Sequence, residues 1–213
     1  MLLKLINIRN LSPSAYVLRL ERKDISFKAG QCFNLGLKKS GVNREYSIYS
    51  GENDPYLEFL IKEVEGGAVS PNLGKVPEGE EVELHGPYGS FTISPDQTSR
   101  GSFLFIGSGT GVAPFHSFIC SHSNLNYQIV LGARTVSERY DLCDYDISRI
   151  THCISREPWI GFNGRVTSYL RDKTLDLKNI CYLCGNQSMI HDVYELLRGK
   201  GFSGDQIFTE AFF

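Results

Sequence analysis

The sequence predicts two domains, an N-terminal antiparallel β-barrel over residues 1–97 and a C-terminal α/β doubly wound parallel sheet over residues 98–213. Three observations carry this. The chain has 213 residues, which suits two domains of about a hundred residues better than one or three. Its first half alternates in short strands broken by turns, with the period of two that suits a sheet wetted on one face. Its second half carries apolar strands separated by helical segments, the pattern of a parallel sheet covered on both faces.

In order, the expected strands of the first half are Ala15–Leu20, Gln31–Leu37, Arg44–Ser50, Tyr56–Lys62 and Glu81–His85. Short strands at this spacing read as an antiparallel barrel. The polar stretch Ser94–Gly101, with both Pro95 and Gly101, reads as an exposed connection and carries the boundary. Beyond it the expected strands are Ser102–Gly107, Tyr127–Gly132, Ile150–Ile154, Ile180–Cys184 and Gln206–Glu210. The clearest helix is Met189–Arg198, with Met189, Ile190, Val193, Leu196 and Leu197 on one face. Asn186 or Ser188 serves as its N-cap, and Gly199 or Gly201 ends it. Ligands of doubly wound sheets bind at the carboxyl ends of the strands, so Gly107, Gly132, Ser155, Cys184 and Glu210 are expected to face one crevice.

Composition excludes several classes. Hydrophobic residues make up 41% and charged residues 22% of the chain, ordinary for a globular protein. A net charge of -2 with scattered basic residues gives no field to draw in nucleic acid. No apolar run approaches the ~20 residues of a membrane span, and the N-terminal residues lack a signal-peptide core, so a cytoplasmic protein is expected. The six cysteines are too sparse for a disulfide scaffold. Cys181 and Cys184 form a C-x-x-C inside an apolar strand with no second pair or nearby histidine, which argues against metal.

Several segments carry chemistry. Gly107–Pro114 is a glycine-rich turn between a strand and a helix. Glycines there let a backbone approach a pyrophosphate, and a helix N-terminus offers free N–H groups; a tight turn also needs glycine for purely structural reasons. On the strand at Arg44–Ser47, alternation puts Arg44 and Tyr46 on one face. A guanidinium can pair with phosphate while a phenol ring lies on a heterocycle, or the two are a surface arginine and a packing tyrosine. In Gly66–Leu73, Ser70 can cap a short helix whose first amides face an anion, or simply cap a turn.

The order of the motifs adds more than any one of them. R-x-Y-S at Arg44–Ser47 is followed by G-G-x-x-S-x-x-L at Gly66–Leu73 and G-P-x-G-x-F at Gly86–Phe91. G-x-G-T-G-x-A-P at Gly107–Pro114, C-G-N-x-x-M at Cys184–Met189 and a final Glu-x-aromatic at Glu210–Phe212 complete the series. This series resembles the ferredoxin-NADP reductase family over nearly the whole chain. The resemblance implies an FAD-binding barrel, an NADP(H)-binding domain with the flavin between the two, and electron exchange with a one-electron carrier such as ferredoxin or flavodoxin.

It also implies roles. Arg44 binds the flavin phosphates, Tyr46 stacks on the ring system, and Ser47 bonds near the reactive flavin nitrogen. Gly67, Val69 and Ser70 hold the pyrophosphate. Gly109, Thr110, Gly111, Gly185 and Met189 bind the nicotinamide dinucleotide, with Cys184 and Glu210 beside the hydride-transfer site. Cys184 reads equally well as a small buried residue closing a strand. Arg134, Arg156 and Arg165 supply cations for a 2′-phosphate, unless they form ion pairs with acids such as Glu157 or Asp172. Phe212 and Phe213 cover the flavin, Phe212 standing where the bacterial branch usually has tyrosine, or they plug a hydrophobic gap. Two other functions fit the same domains: an NADH-dependent flavin reductase or oxygenase-reductase component, and a non-catalytic nucleotide-binding or electron-transfer subunit.

Overall fold

The computed structural model describes residues 1–212, without the side chain of Arg100; the Phe213 expectation therefore lies outside the described residues. The chain divides into two compact units, Met1–Thr92 with Ala113–Ser121, and Ile93–Val112 with the chain from His122 onward. The expected connection at Ser94–Gly101 is instead largely helical.

The first unit contains β1 (Leu2–Ser12), β2 (Ala15–Glu21), β3 (Cys32–Leu37), β4 (Asn43–Ser47), β5 (Tyr56–Lys62), the short helix α1 (Ser70–Leu73) and β6 (Glu81–Tyr88). The strands form one antiparallel sheet in the order β4-β3-β6-β1-β2-β5. It is barrel-like without closing, because β4 and β5 remain edges. Alternation places Tyr16, Leu18 and Leu20 of β2 with Phe33, Leu35, Leu57, Phe59, Val82 and Leu84 in one core. Burying each large side chain contributes roughly 1.5–3 kcal/mol.

The segment taken as an exposed connection contains α2 (Pro95–Arg100). Ser94 Oγ accepts from the Gln97 amide at 3.3 Å while Gln97 Oε1 accepts from the Ser94 amide at 2.9 Å. That reciprocal cap, with Pro95 opening the helix, offsets the poor helical propensity of the segment.

The helix after the glycine-rich turn, α3 (Ala113–Ser121), belongs with the first unit. Ser117 Oγ donates to the Ser50 carbonyl at 2.7 Å, and the His116 ring stacks on Tyr49 at 3.8 Å. Phe118 closes the contact, packing on Phe91 and so near Gly30 that a β-carbon there would meet its ring at 2.6 Å.

The second unit is a parallel sheet of β7 (Ser102–Ser108), β8 (Asn126–Ala133), β9 (Ile150–Ile154), β10 (Phe162–Asn163), β11 (Ile180–Asn186) and β12 (Ile207–Phe212). The order β10-β9-β8-β7-β11-β12 reverses direction between β7 and β11, the place where open α/β sheets bind ligands. On one face α4 (Val166–Arg171) and α5 (Gln187–Gly199) cover Leu104, Ile106, Val130, Cys153, Cys181 and Leu183. The other face carries an aromatic run, Phe103, Phe105, Tyr127, Tyr182 and Phe208, with neighbouring rings 4.8–6.2 Å apart. Of the two expected caps for α5, Asn186 is the one used: its Oδ1 accepts from the amides of Ser188 and Met189. The crossover from β8 to β9 departs from the expected alternation of strand and helix. It is made of three single 3-10 turns, Val136–Glu138, Leu142–Asp144 and Ile147–Arg149.

Candidate functional site

In the first unit the candidate residues cluster around the edge strand β4. Its pairing with β3 sets Leu35 opposite Arg44, Phe33 opposite Tyr46 and Cys32 opposite Ser47. Arg44 is exposed, and its one hydrogen bond among the described residues goes from Nη1 to the neighbouring Asn43 carbonyl at 2.7 Å. The guanidinium therefore keeps most of its five donors for something outside the chain. Tyr46 is half-buried against the core, and burial pushes its phenol up to about 12, so the ring carries a neutral hydroxyl. Ser47 is buried at the strand end.

The Gly66–Leu73 loop differs from its expected form. Ser70 does not cap α1: the N-cap is Val69, without a side-chain hydrogen bond, and Ser70 Oγ accepts from the Val64 amide at 3.0 Å. The reason is the turn Val64–Gly67, closed by the Gly67 amide on the Val64 carbonyl at 2.8 Å, which brings the Val64 N–H onto the serine. Gly66, at φ +70°, makes that turn possible. Tyr16 adds a buried bond from its hydroxyl to the Ser70 carbonyl at 2.6 Å. Its phenol is pushed far up, chiefly by burial. The amides of Ala68, Val69 and Ser70 have no partner among the described residues. Three adjacent N–H groups left open beside an exposed arginine strand fit a phosphate-bearing nucleotide. Sequence reasoning missed Tyr16, whose only signal is a polar aromatic at a core position of β2.

In the second unit the glycine-rich turn and the end of β11 form one ledge. A β-carbon on Gly111 would lie 2.3 Å from the Cys184 carbonyl oxygen, and one on Gly185, at φ +132°, would lie 2.6 Å from Ser108 Oγ. Both glycines serve contact between segments of the protein itself. Gly109 differs: at φ +55° it has nothing within 4 Å of where a β-carbon would sit. Gly109 is thus the part of the turn that faces open space, with the partly exposed Thr110 next to it. The Ser108 hydroxyl completes the ledge by accepting from the Asn186 amide at 3.2 Å.

Parallel pairing sets Cys184 opposite Glu210, Gly185 opposite Ala211 and Asn186 opposite Phe212. The Cys184 thiol points to Glu210 Oε2 at 4.0 Å. Burial, then the neighbouring carboxylate, pushes this thiol well above its ordinary range, while the Gly185 amide opposes the shift weakly. Cys184 is therefore a protonated donor and not a thiolate. Cys181, three residues away on the strand, belongs to the opposite face, where burial holds it at about 12. Met189 is half-buried at the start of α5, and Phe212 is half-buried at the end of β12.

Arg134, Arg156 and Arg165 come together at adjacent strand ends. The Arg156 amide donates to the Arg134 carbonyl at 2.9 Å, and the Gly164 amide to the Ile154 carbonyl at 2.8 Å. All three side chains are exposed and form no ion pair among the described residues. The acid expected as a possible partner, Glu157, instead accepts from the Val136 amide. An open pocket of about 640 Å³ lined by Ser155, Arg156, Glu157, Trp159 and Gly164 lies beside them. Exposed cations at adjacent strand ends, one of them lining an open pocket, fit a phosphate ester.

An edge strand with an exposed arginine in one unit, and a glycine ledge at the switch point of a parallel sheet in the other, fit a chain of two nucleotide-binding units. Residues 3–93 match the oxidoreductase FAD-binding domain. Ferredoxin--NADP reductase B of Sorangium cellulosum is 30% identical, covering 92% of this chain and 91% of that protein. The chain belongs to the ferredoxin–NADP reductase family. The reductase component of propane 2-monooxygenase from a Gordonia species is 30% identical over 98% of this chain, which spans 66% of that relative. Against other oxygenase reductases the chain spans still less, 57% for the Rhodococcus jostii propane 2-monooxygenase component. Among solved structures, an Amycolatopsis cytochrome P450 reductase superposes with TM-score 0.89 at 25% identity, covering the whole chain and 70% of that protein. A ferredoxin NADP+ reductase from Neisseria gonorrhoeae, solved with FAD and NADP, shares the fold at TM-score 0.86 and 19% identity, covering 100% and 98%.

Proposed function

We propose that this chain is a ferredoxin- or flavodoxin–NADP reductase of the cytoplasm, exchanging electrons between NADPH and a one-electron carrier protein. The observation that carries the choice of NADPH is the trio Arg134, Arg156 and Arg165, exposed at adjacent strand ends without an ion pair among the described residues, with Arg156 lining an open pocket. A 2′-phosphate needs such cations, whereas an NAD site typically presents an acid to the ribose hydroxyls. Support for the flavin nucleotide comes from Arg44 and the open amides of Ala68, Val69 and Ser70. When bound, the flavin supplies the conversion between a two-electron hydride and single electrons, which no side chain provides.

The residues of the chain bind, orient and hold protons. Arg44 pairs with the phosphates, Tyr46 offers a neutral ring for stacking, and Ser47 orients the ring system. Cys184 keeps its proton and donates toward Glu210, so the pair positions the nicotinamide and performs no nucleophilic attack. Phe212 acts as a half-buried ring that the nicotinamide displaces. The test is reduction of the purified FAD protein by NADPH, followed by transfer to ferredoxin, flavodoxin or free flavin. Rapid transfer to ferredoxin or flavodoxin supports the proposal. Transfer to free flavin alone contradicts it and favours a flavin reductase.

A second reading, an oxygenase reductase component, draws on relatives such as the toluate 1,2-dioxygenase electron transfer component of Pseudomonas putida, 27% identical over 97% of this chain. It predicts NADH as the better donor in the same assay.

A further inference from the structure

The short crossover between β8 and β9 leaves a second cavity in the second unit, of about 280 Å³. Where a doubly wound sheet usually lays a helix, three single turns run instead, and the space beneath them is lined by Arg139, Leu142, Ile147, His152, Trp159 and Phe162. Of its lining residues only Trp159 is shared with the open pocket beside Arg156.

Three features of this cavity point to a ligand. The first is His152, 8% exposed in the middle of β9, whose two ring nitrogens have no hydrogen-bond partner. The indole nitrogen of Trp159 is likewise buried and unsatisfied. Each such atom costs about 1–3 kcal/mol, and native proteins rarely keep three around one space without a use. The second is Arg139, whose guanidinium lies 4.2 Å over the Trp159 ring and whose only hydrogen bond among the described residues is a long one to the Val136 carbonyl at 3.4 Å. No carboxylate pairs with it among the described residues, and no acidic side chain lines the cavity. The third is that the remaining walls are mostly apolar, from Leu142, Ile147, Ile150 and Phe162, with Thr151 the one further polar side chain.

Apolar walls, an uncompensated cation and unsatisfied ring N–H groups specify a small flat acid: a ring for the walls and a carboxylate for the cation and the donors. We infer that this cavity binds a monocyclic aromatic carboxylate, with Arg139 pairing to the carboxylate and His152 donating to it. The space suits a single ring, being at the small end of ligand sites. Burial and the Arg139 charge hold the imidazole at about 4, so near neutrality it is uncharged, with one nitrogen to donate and one to accept.

Trp159 is the only tryptophan in the chain, so its fluorescence reports on the cavity directly. It also walls the open pocket beside Arg156, and the experiment has to separate the two. Flavin-loaded protein is titrated with benzoate, and with benzyl alcohol as the uncharged counterpart, by tryptophan fluorescence and calorimetry. The expected result is saturable benzoate binding that benzyl alcohol fails to match by about ten-fold. Arg139→Gln and His152→Leu should each weaken it, the former by about ten-fold, while adenosine 2′-phosphate binds wild type and variants alike. His152→Leu removes two unsatisfied polar atoms, so its melting temperature should hold or rise. Absence of saturable benzoate binding to the wild type would overturn the inference. So would benzoate binding that adenosine 2′-phosphate displaces and that neither variant changes. NADPH reduction of the flavin is measured separately, so failure here is distinguishable from failure of the proposed function.

Discussion

The two units present their candidate sites by different means. In the first, the site is side chains on a strand edge: Arg44 and Tyr46 project from β4, and the open amides of Ala68–Ser70 follow a turn whose Gly66 meets nothing. In the second, the site is backbone at strand ends, and its glycines are mostly engaged in holding those ends together. Gly111 lies against the Cys184 carbonyl and Gly185 against Ser108, while Gly109 alone opens outward. A glycine-rich motif thus has two meanings, ligand approach and internal close packing, and only contact geometry separates them.

The sharpest way to break this comparison is to add one methyl group at each kind of glycine. Gly111→Ala places a β-carbon 2.3 Å from a backbone carbonyl that cannot rotate away, and should destabilise the protein by about 3 kcal/mol or more. Gly66→Ala meets only its own positive φ and should cost about 1–2 kcal/mol. Chemical denaturation of the two variants measures both; equal losses would erase the distinction.

The next effect belongs to the second unit alone and follows from His152. Its pKa is held at about 4 against the ordinary 6.5, by burial first and the Arg139 charge second. Between those values the unfolded chain takes up a proton that the native chain refuses. Stability should be complete above about pH 6.5 and fall as pH drops toward 4, by on the order of 3 kcal/mol. Denaturation curves at intervals across this window should show the loss in the wild type and a flatter profile in His152→Leu.

A smaller effect sharpens the comparison from the first unit. Arg44→Ala removes an exposed side chain bonded only to its neighbour's carbonyl, so melting of the flavin-free protein should not change. Flavin retention on dialysis should fall by about ten-fold or more, the loss of a charge-assisted contact. Unchanged occupancy would remove Arg44 from the site.

Much of this arrangement was legible before any coordinates. Period-two alternation in β2 and β3 and apolar runs in β7 and β11 reveal the two sheets, because burial on one face or two leaves a direct mark on residue type. Asn186 was readable as a cap because its side chain satisfies amides next to it in sequence. The capping box at Ser94 and Gln97 is equally local, but the polar, proline-containing composition around it masks the helix it starts. Long-range facts were not legible. That Ser70 serves Val64 rather than α1 depends on how a turn folds back, and that α3 packs with the first unit depends on Phe91, His116 and Phe118 meeting across the chain. Nothing in the run from Thr135 to Arg149 announced that the crossover would lack a helix and leave His152 beside a cavity.

The central claim, an FAD protein that draws electrons from NADPH through the arginines of its second unit, is tested most directly by reducing the bound flavin at equal NADPH and NADH concentrations. The comparison is made in wild type and in an Arg156→Ala, Arg165→Ala double variant. Wild type should bleach faster with NADPH, and the double variant should lose that preference by about ten-fold or more while its rate with NADH stays near wild type. Equal rates with the two nucleotides in the wild type, or an undiminished NADPH preference in the double variant, would contradict the account.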